Sequence, residues 1–179
     1  MTAPEYVQLK AFARIDGLRL SILLMLGFVC YVVGLTSPTY GFLAIITVIV
    51  TPFFVGRQLK RFRDNGLDGA ISFLRGWAYV ALMFFYGGLL FALAQYAYLA
   101  YLDHGYMLST INEMLSAPEY ADMMKRLGLS EQINESLSAL NAMRPIDFVL
   151  NMLTTVIMSG IALGLPIAAV LQKRSVKSK

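Results

Sequence analysis

The chain has 179 residues, 58% of them apolar and only 15% charged, with a mean hydropathy of +0.62. Soluble domains carry about 45–50% apolar and about 25% charged residues, so composition points away from a water-soluble globule. The net charge of +4 would suit a nucleic-acid binder, but no charge falls between Arg19 and Arg57 or between Arg75 and Asp103. Uncharged apolar runs of about 18 residues or more have the length of membrane spans. The expected fold is therefore all-α: a polytopic membrane protein, one domain over residues 1–179, with four transmembrane helices. Membrane lipids are its expected surroundings, and no nucleic acid is expected as a partner.

The first apolar run begins after Arg19 and ends in "GLTSPTYG" without a small-x-small cleavage site, so it is expected to remain as an anchor. Cys30 lies alone inside it and has no second cysteine to pair with. Read as one helix, Leu20 to Gly56 would be roughly 55 Å long, against a hydrocarbon core of about 30 Å. The chain must turn, and Pro38 and Gly41 mark the place. This predicts spans at 18–36 and 40–58. Gly27 and Gly34 share a face of the first and admit a close helix approach. Pro52, after Thr51, should kink the second.

The stretch "RQLKRFRDNGLDGAISFLRGW" follows, from Arg57 to Trp77. The second helix should continue through Arg57, Lys60, Arg61 and Arg63, with Lys60 and Asp64 paired at i, i+4. Gly66 should stop that helix, and Asp68 should cap the next one. The glycine spacing is not that of a nucleotide-binding loop. The four cations read first as a topology signal. They read second as a contact for anionic lipid head groups or a partner, each near-surface cation contributing about 1 kcal/mol.

The third span is expected at 76–102, with Trp77 and Tyr79 at one end and Tyr96, Tyr98 and Tyr101 at the other, as in an aromatic belt. An outer helical segment, 103–144, follows. In it Pro118 starts one helix that Gly128 ends, and Ser130 is expected to cap a second with Ile133, Leu137 and Leu140 on one stripe. This segment either lies on the bundle or lipid surface or docks a protein partner. The fourth span is expected at 146–171 and carries Gly160 and Gly164 in a G-x-x-x-G spacing, a contact either within the bundle or between two copies in a homo-oligomer.

Lys and Arg set the orientation. Twelve of the fifteen lie before the first span, in the 57–75 turn or in the tail, so both termini are expected in the cytoplasm and the outer segment in the periplasm of a bacterial inner membrane.

Chemistry is sparse. His104, the only histidine, has no cysteine near it with which to build an ordinary zinc site, and no hydrolase, zincin or P-loop spacing occurs. Neither metal nor cofactor is expected, and the chain does not read as an enzyme. Asp147, in the first turn of the fourth span, is favoured there by the helix dipole. Gln95 and Asn151 fall at similar depth in antiparallel spans. They are expected to form an interhelical hydrogen bond worth about 0.6–2 kcal/mol, or to line part of a polar cavity.

"RFRDNGLDGAISF" resembles the signature of a bacterial inner-membrane family known as domain of unknown function 4199, at Arg61, Phe62, Arg63, Asp64, Gly69, Ile71, Ser72 and Phe73. The resemblance extends over nearly the whole chain, including "LSEQINE" in the outer segment. It implies a four-helix membrane fold, brings no established activity or catalytic residue, and suggests a place beside polyprenyl-phosphate sugar transferases. The functional expectation is a non-catalytic structural or accessory subunit. A small transporter or lipid-handling protein and a membrane partner of such a transferase are the alternatives.

Overall fold

The computed structural model describes residues 2–173, so the tail bases Arg174, Lys177 and Lys179 fall outside the described residues. Among the described residues, four helices are long and apolar enough to cross a membrane: α1 (Ala3–Gly34), α2 (Pro38–Gly66), α3 (Phe73–Tyr101) and α7 (Pro145–Leu171). The shorter α4 (Tyr106–Ser116), α5 (Pro118–Arg126) and α6 (Ser130–Ala142) lie between α3 and α7.

Helix α1 begins at Ala3, well ahead of the expected start at 18, because its N-terminus is satisfied locally. Thr2 N–H donates to Glu5 Oε2 at 2.7 Å, and Pro4 stands in the first turn, where a missing N–H costs nothing. Pro38 opens α2 in the same way. Helix α2 runs unbroken past Pro52, where Thr51 Oγ1 donates to the Thr47 carbonyl at 2.8 Å.

Helix α2 ends at Gly66 as expected, but not through a left-handed glycine. Gly66 stays helical: Phe62 and Phe12 crowd the space a side chain would need, and its carbonyl accepts from Gln8 Nε2 at 2.8 Å. The left-handed residues are instead Asp68 (φ +50°) and Gly69 (φ +80°). Asp68 therefore turns the chain rather than capping α3, and Ser72 takes the cap position. The expected Lys60–Asp64 pair is also replaced, since Arg63 Nε reaches Asp64 Oδ1 at 2.7 Å.

At the opposite end, Asp103 is buried and its Oδ1 accepts from Met107 N–H at 3.1 Å. That bond starts α4, a separate helix at the head of the outer segment. Leu129, not Ser130, occupies the cap position of α6.

The spans pack in the order α2–α1–α3–α7, and glycine brings each pair together. A Cβ at Gly27 would stand 2.8 Å from Thr47 Cγ2, and Gly34 faces the Gly41 backbone. The Gly17 carbonyl abuts Gly87, where a Cβ would meet it at 2.8 Å. Gly160 receives the Phe84 ring, and Gly164 lies beneath Trp77 and Val80. Close approach through small residues is how membrane helices gain packing contacts without a hydrophobic driving force. Helices α2 and α7 meet where Gly56 faces Ile167 and Leu171, near the end that carries the termini. The buried core sits towards that end, in Leu9, Ala13, Leu20, Val55, Leu59, Phe62, Tyr79, Val80, Met83 and Phe84.

Candidate functional site

Leu9, Ala13, Asp16 and Leu20 recur at helical spacing on one buried face of α1, and Asp16 is only 3% exposed. Its carboxylate accepts from Arg19 Nη1 and from the Tyr79 hydroxyl, each at 2.5 Å. The Tyr79 ring stacks on Phe62, with centroids 4.6 Å apart and planes 7° from parallel, and Phe62 in turn touches Phe12 at 5.1 Å. One carboxylate thus orients an aromatic column that joins α1, α2 and α3. The apolar run by itself does not single out Asp16. Extending the first helix back to Thr2 and Glu5 places it on the stripe of Leu9, Ala13 and Leu20, where a buried charge demands partners.

A second polar knot lies beside it. Arg75 Nη1 reaches Glu5 Oε1 at 3.3 Å and Arg75 Nη2 reaches Gln8 Oε1 at 3.2 Å, while Gln8 also holds Gly66. Ile71 and Lys173 exchange backbone hydrogen bonds at 2.9 and 3.0 Å, and Arg63 Nη1 donates to the Leu171 carbonyl at 3.1 Å. The start of α1, the α2–α3 turn and the end of α7 are thereby tied into one cluster.

The four cations of the turn divide. Arg63 is half-buried and held by Asp64 and Leu171; Arg57, Lys60 and Arg61 are exposed. Arg61 alone of the four lines a cavity of about 200 Å³ between α1 and α2, together with Phe12, Asp16, Arg19, Phe62 and Asn65.

Gln95 and Asn151 do not meet. Gln95 is fully buried with neither amide atom hydrogen-bonded among the described residues, whereas Asn151 is exposed and donates to the Asp147 carbonyl of its own helix at 3.2 Å. Equal depth was legible from the sequence; the rotation of each helix about its axis was not. A buried amide without partners costs roughly 1–3 kcal/mol. Gln95→Leu, of similar volume, is therefore expected to raise the thermal stability of the detergent-solubilised protein by about 1–2 kcal/mol. A clear fall in melting temperature would show that the amide is satisfied in the membrane.

Asp147 pairs with Arg144 at 2.8 Å at the start of α7, and that carboxylate raises the Arg144 guanidinium above its ordinary pKa. Trp77 Nε1 donates to the Ile161 carbonyl at 3.0 Å and so ties α3 to α7.

A family model described as protein of unknown function (DUF4199) matches residues 16–173. The chain belongs to this family. The DUF4199 match runs from Asp16 to Lys173 and so takes in the buried carboxylate, the turn and the α7 residue paired with Ile71. No curated protein matches the chain, and no solved structure matches it. DUF4199 membership comes with the four apolar spans described here and assigns no activity.

Proposed function

We propose that this DUF4199 protein is a non-catalytic structural or accessory subunit of a bacterial inner membrane, with both termini cytoplasmic and α4–α6 periplasmic. The orientation rests on the twelve basic residues that the sequence assigns to the terminus-bearing side. One observation carries the role: Asp16, buried, and Arg63 and Arg75, half-buried at that end, are engaged with other parts of the same chain. Asp16 holds Tyr79 and Arg19, Arg75 holds Glu5 and Gln8, and Arg63 holds Asp64 and Leu171. Such groups fix helices in register; they do not converge on a point where a substrate atom would react. The transport alternative needed a polar cavity at Gln95 and Asn151, and those side chains face different surroundings.

Extraction from native membranes in mild detergent, at native abundance, tests the role. The expected result is a complex larger than one chain, with a second membrane protein identified by mass spectrometry in fixed ratio. A chain that runs alone and monomeric would overturn the accessory-subunit reading.

A further inference from the structure

The cavity between α1 and α2 has properties that the clamp around it does not use. Its volume of about 200 Å³ is many times the 10–15 Å³ or so that a single water requires. On one wall Phe12, Asp16 and Arg19 project from α1 at helical spacing; on the other Arg61, Phe62 and Asn65 project from α2. Among the described residues, Arg19 gives one guanidinium N–H to Asp16, and the remaining donors of that fork can take another acceptor. Among the described residues no carboxylate lies within ion-pair distance of Arg61. The cavity therefore holds two cations against one anion, with an amide beside them. Paired guanidinium forks are suited to the oxygens of a phosphate.

Its depth indicates the form in which that phosphate comes. Arg19 stands where the uncharged run of α1 begins, and Arg61 stands just past the uncharged run of α2. Both are thus at the level of lipid head groups. Ile15, itself a cavity residue, continues along α1 into Leu18, Ile22, Leu26 and Val29, all more than half exposed and at helical spacing. An acyl chain leaving the cavity would follow that track into the hydrocarbon.

We propose that this cavity is a specific binding site for the head-group phosphate of an anionic phospholipid, held by Arg19 and Arg61 with Asn65 beside them. Native mass spectrometry of the full chain, delipidated and titrated with phosphatidylglycerol or phosphatidylcholine, reads occupancy directly. The wild type should retain one phosphatidylglycerol in preference to phosphatidylcholine. Arg61→Gln should weaken retention roughly tenfold, and Asn65→Leu should weaken it less. Arg57→Gln, which removes an exposed cation outside the cavity, should leave it unchanged. Because Arg19 also serves Asp16, Arg61 and Asn65 carry the test. Equal losses in Arg57→Gln and Arg61→Gln would reduce the effect to diffuse surface charge and overturn the proposal. Glycerol phosphate or inorganic phosphate competing as well as phosphatidylglycerol would overturn the lipid assignment.

Discussion

Asp16→Ala is expected to destabilise the protein by about 3 kcal/mol. The substitution leaves the Tyr79 hydroxyl without an acceptor at a fully buried position, which costs roughly 1–3 kcal/mol. It also removes the ion pair to Arg19, whose side chain is 43% exposed, so that contribution is discounted to about 1 kcal/mol or less. Loss of Tyr79 orientation then propagates through the stack on Phe62. Asp16→Asn keeps an acceptor for Tyr79 and should cost only about 1 kcal/mol. Thermal unfolding followed by helicity in detergent separates the two. A cycle with Tyr79→Phe should return a coupling above about 1 kcal/mol, since both residues share one bond. Equal, small effects from Asp16→Ala and Asp16→Asn would mean that the carboxylate is not what holds the three helices together.

Gly160→Leu is expected to be as damaging, by a different route. Any side-chain carbon at Gly160 collides with Cβ and Cγ of Phe84, which is 3% exposed and cannot swing aside at its root. Overpacking of this kind typically costs about 1–3 kcal/mol; alanine should fall in that range and leucine at or above its upper end. Gly56→Ala is the contrast, because the nearest neighbours of a Cβ at that position, Leu171 Cδ1 and Ile167 Cγ2, would stand 3.8 and 3.9 Å away. That variant should be neutral or slightly stabilising, as alanine is the better helix former. The Gly160→Leu variant also decides where the G-x-x-x-G contact lies. A contact within one chain lowers its melting temperature without changing its oligomeric state, whereas a contact between copies would do the reverse.

The reach of the sequence is clearest at particular residues. Pro38 and Pro118 each open a helix, and α2 ends at Gly66, although the left-handed glycine of the turn is Gly69. Those signals are local, because a proline or a left-handed residue acts through its own backbone. The four spans were equally legible, since a span is a matter of length and missing charge. Asp16 was not, although its stripe with Leu9, Ala13 and Leu20 is present in the sequence: the apolar run alone set the expected start of the first span. Gln95 and Asn151 failed for a further reason. On a helix apolar all round, no stripe tells the buried side from the lipid side.

By itself, then, the sequence determined that this DUF4199 chain has four membrane-spanning helices, where it turns, and which ends share one basic side. Tertiary structure decided how each helix is rotated, and with it every partner: Tyr79 for Asp16, Phe84 for Gly160, Asp64 and Leu171 for Arg63, and Arg61 across the cavity from Arg19. Charge and hydropathy are read along the chain and fix depth. Rotation is set by shape, where a glycine admits a neighbour and a buried carboxylate must find its donors.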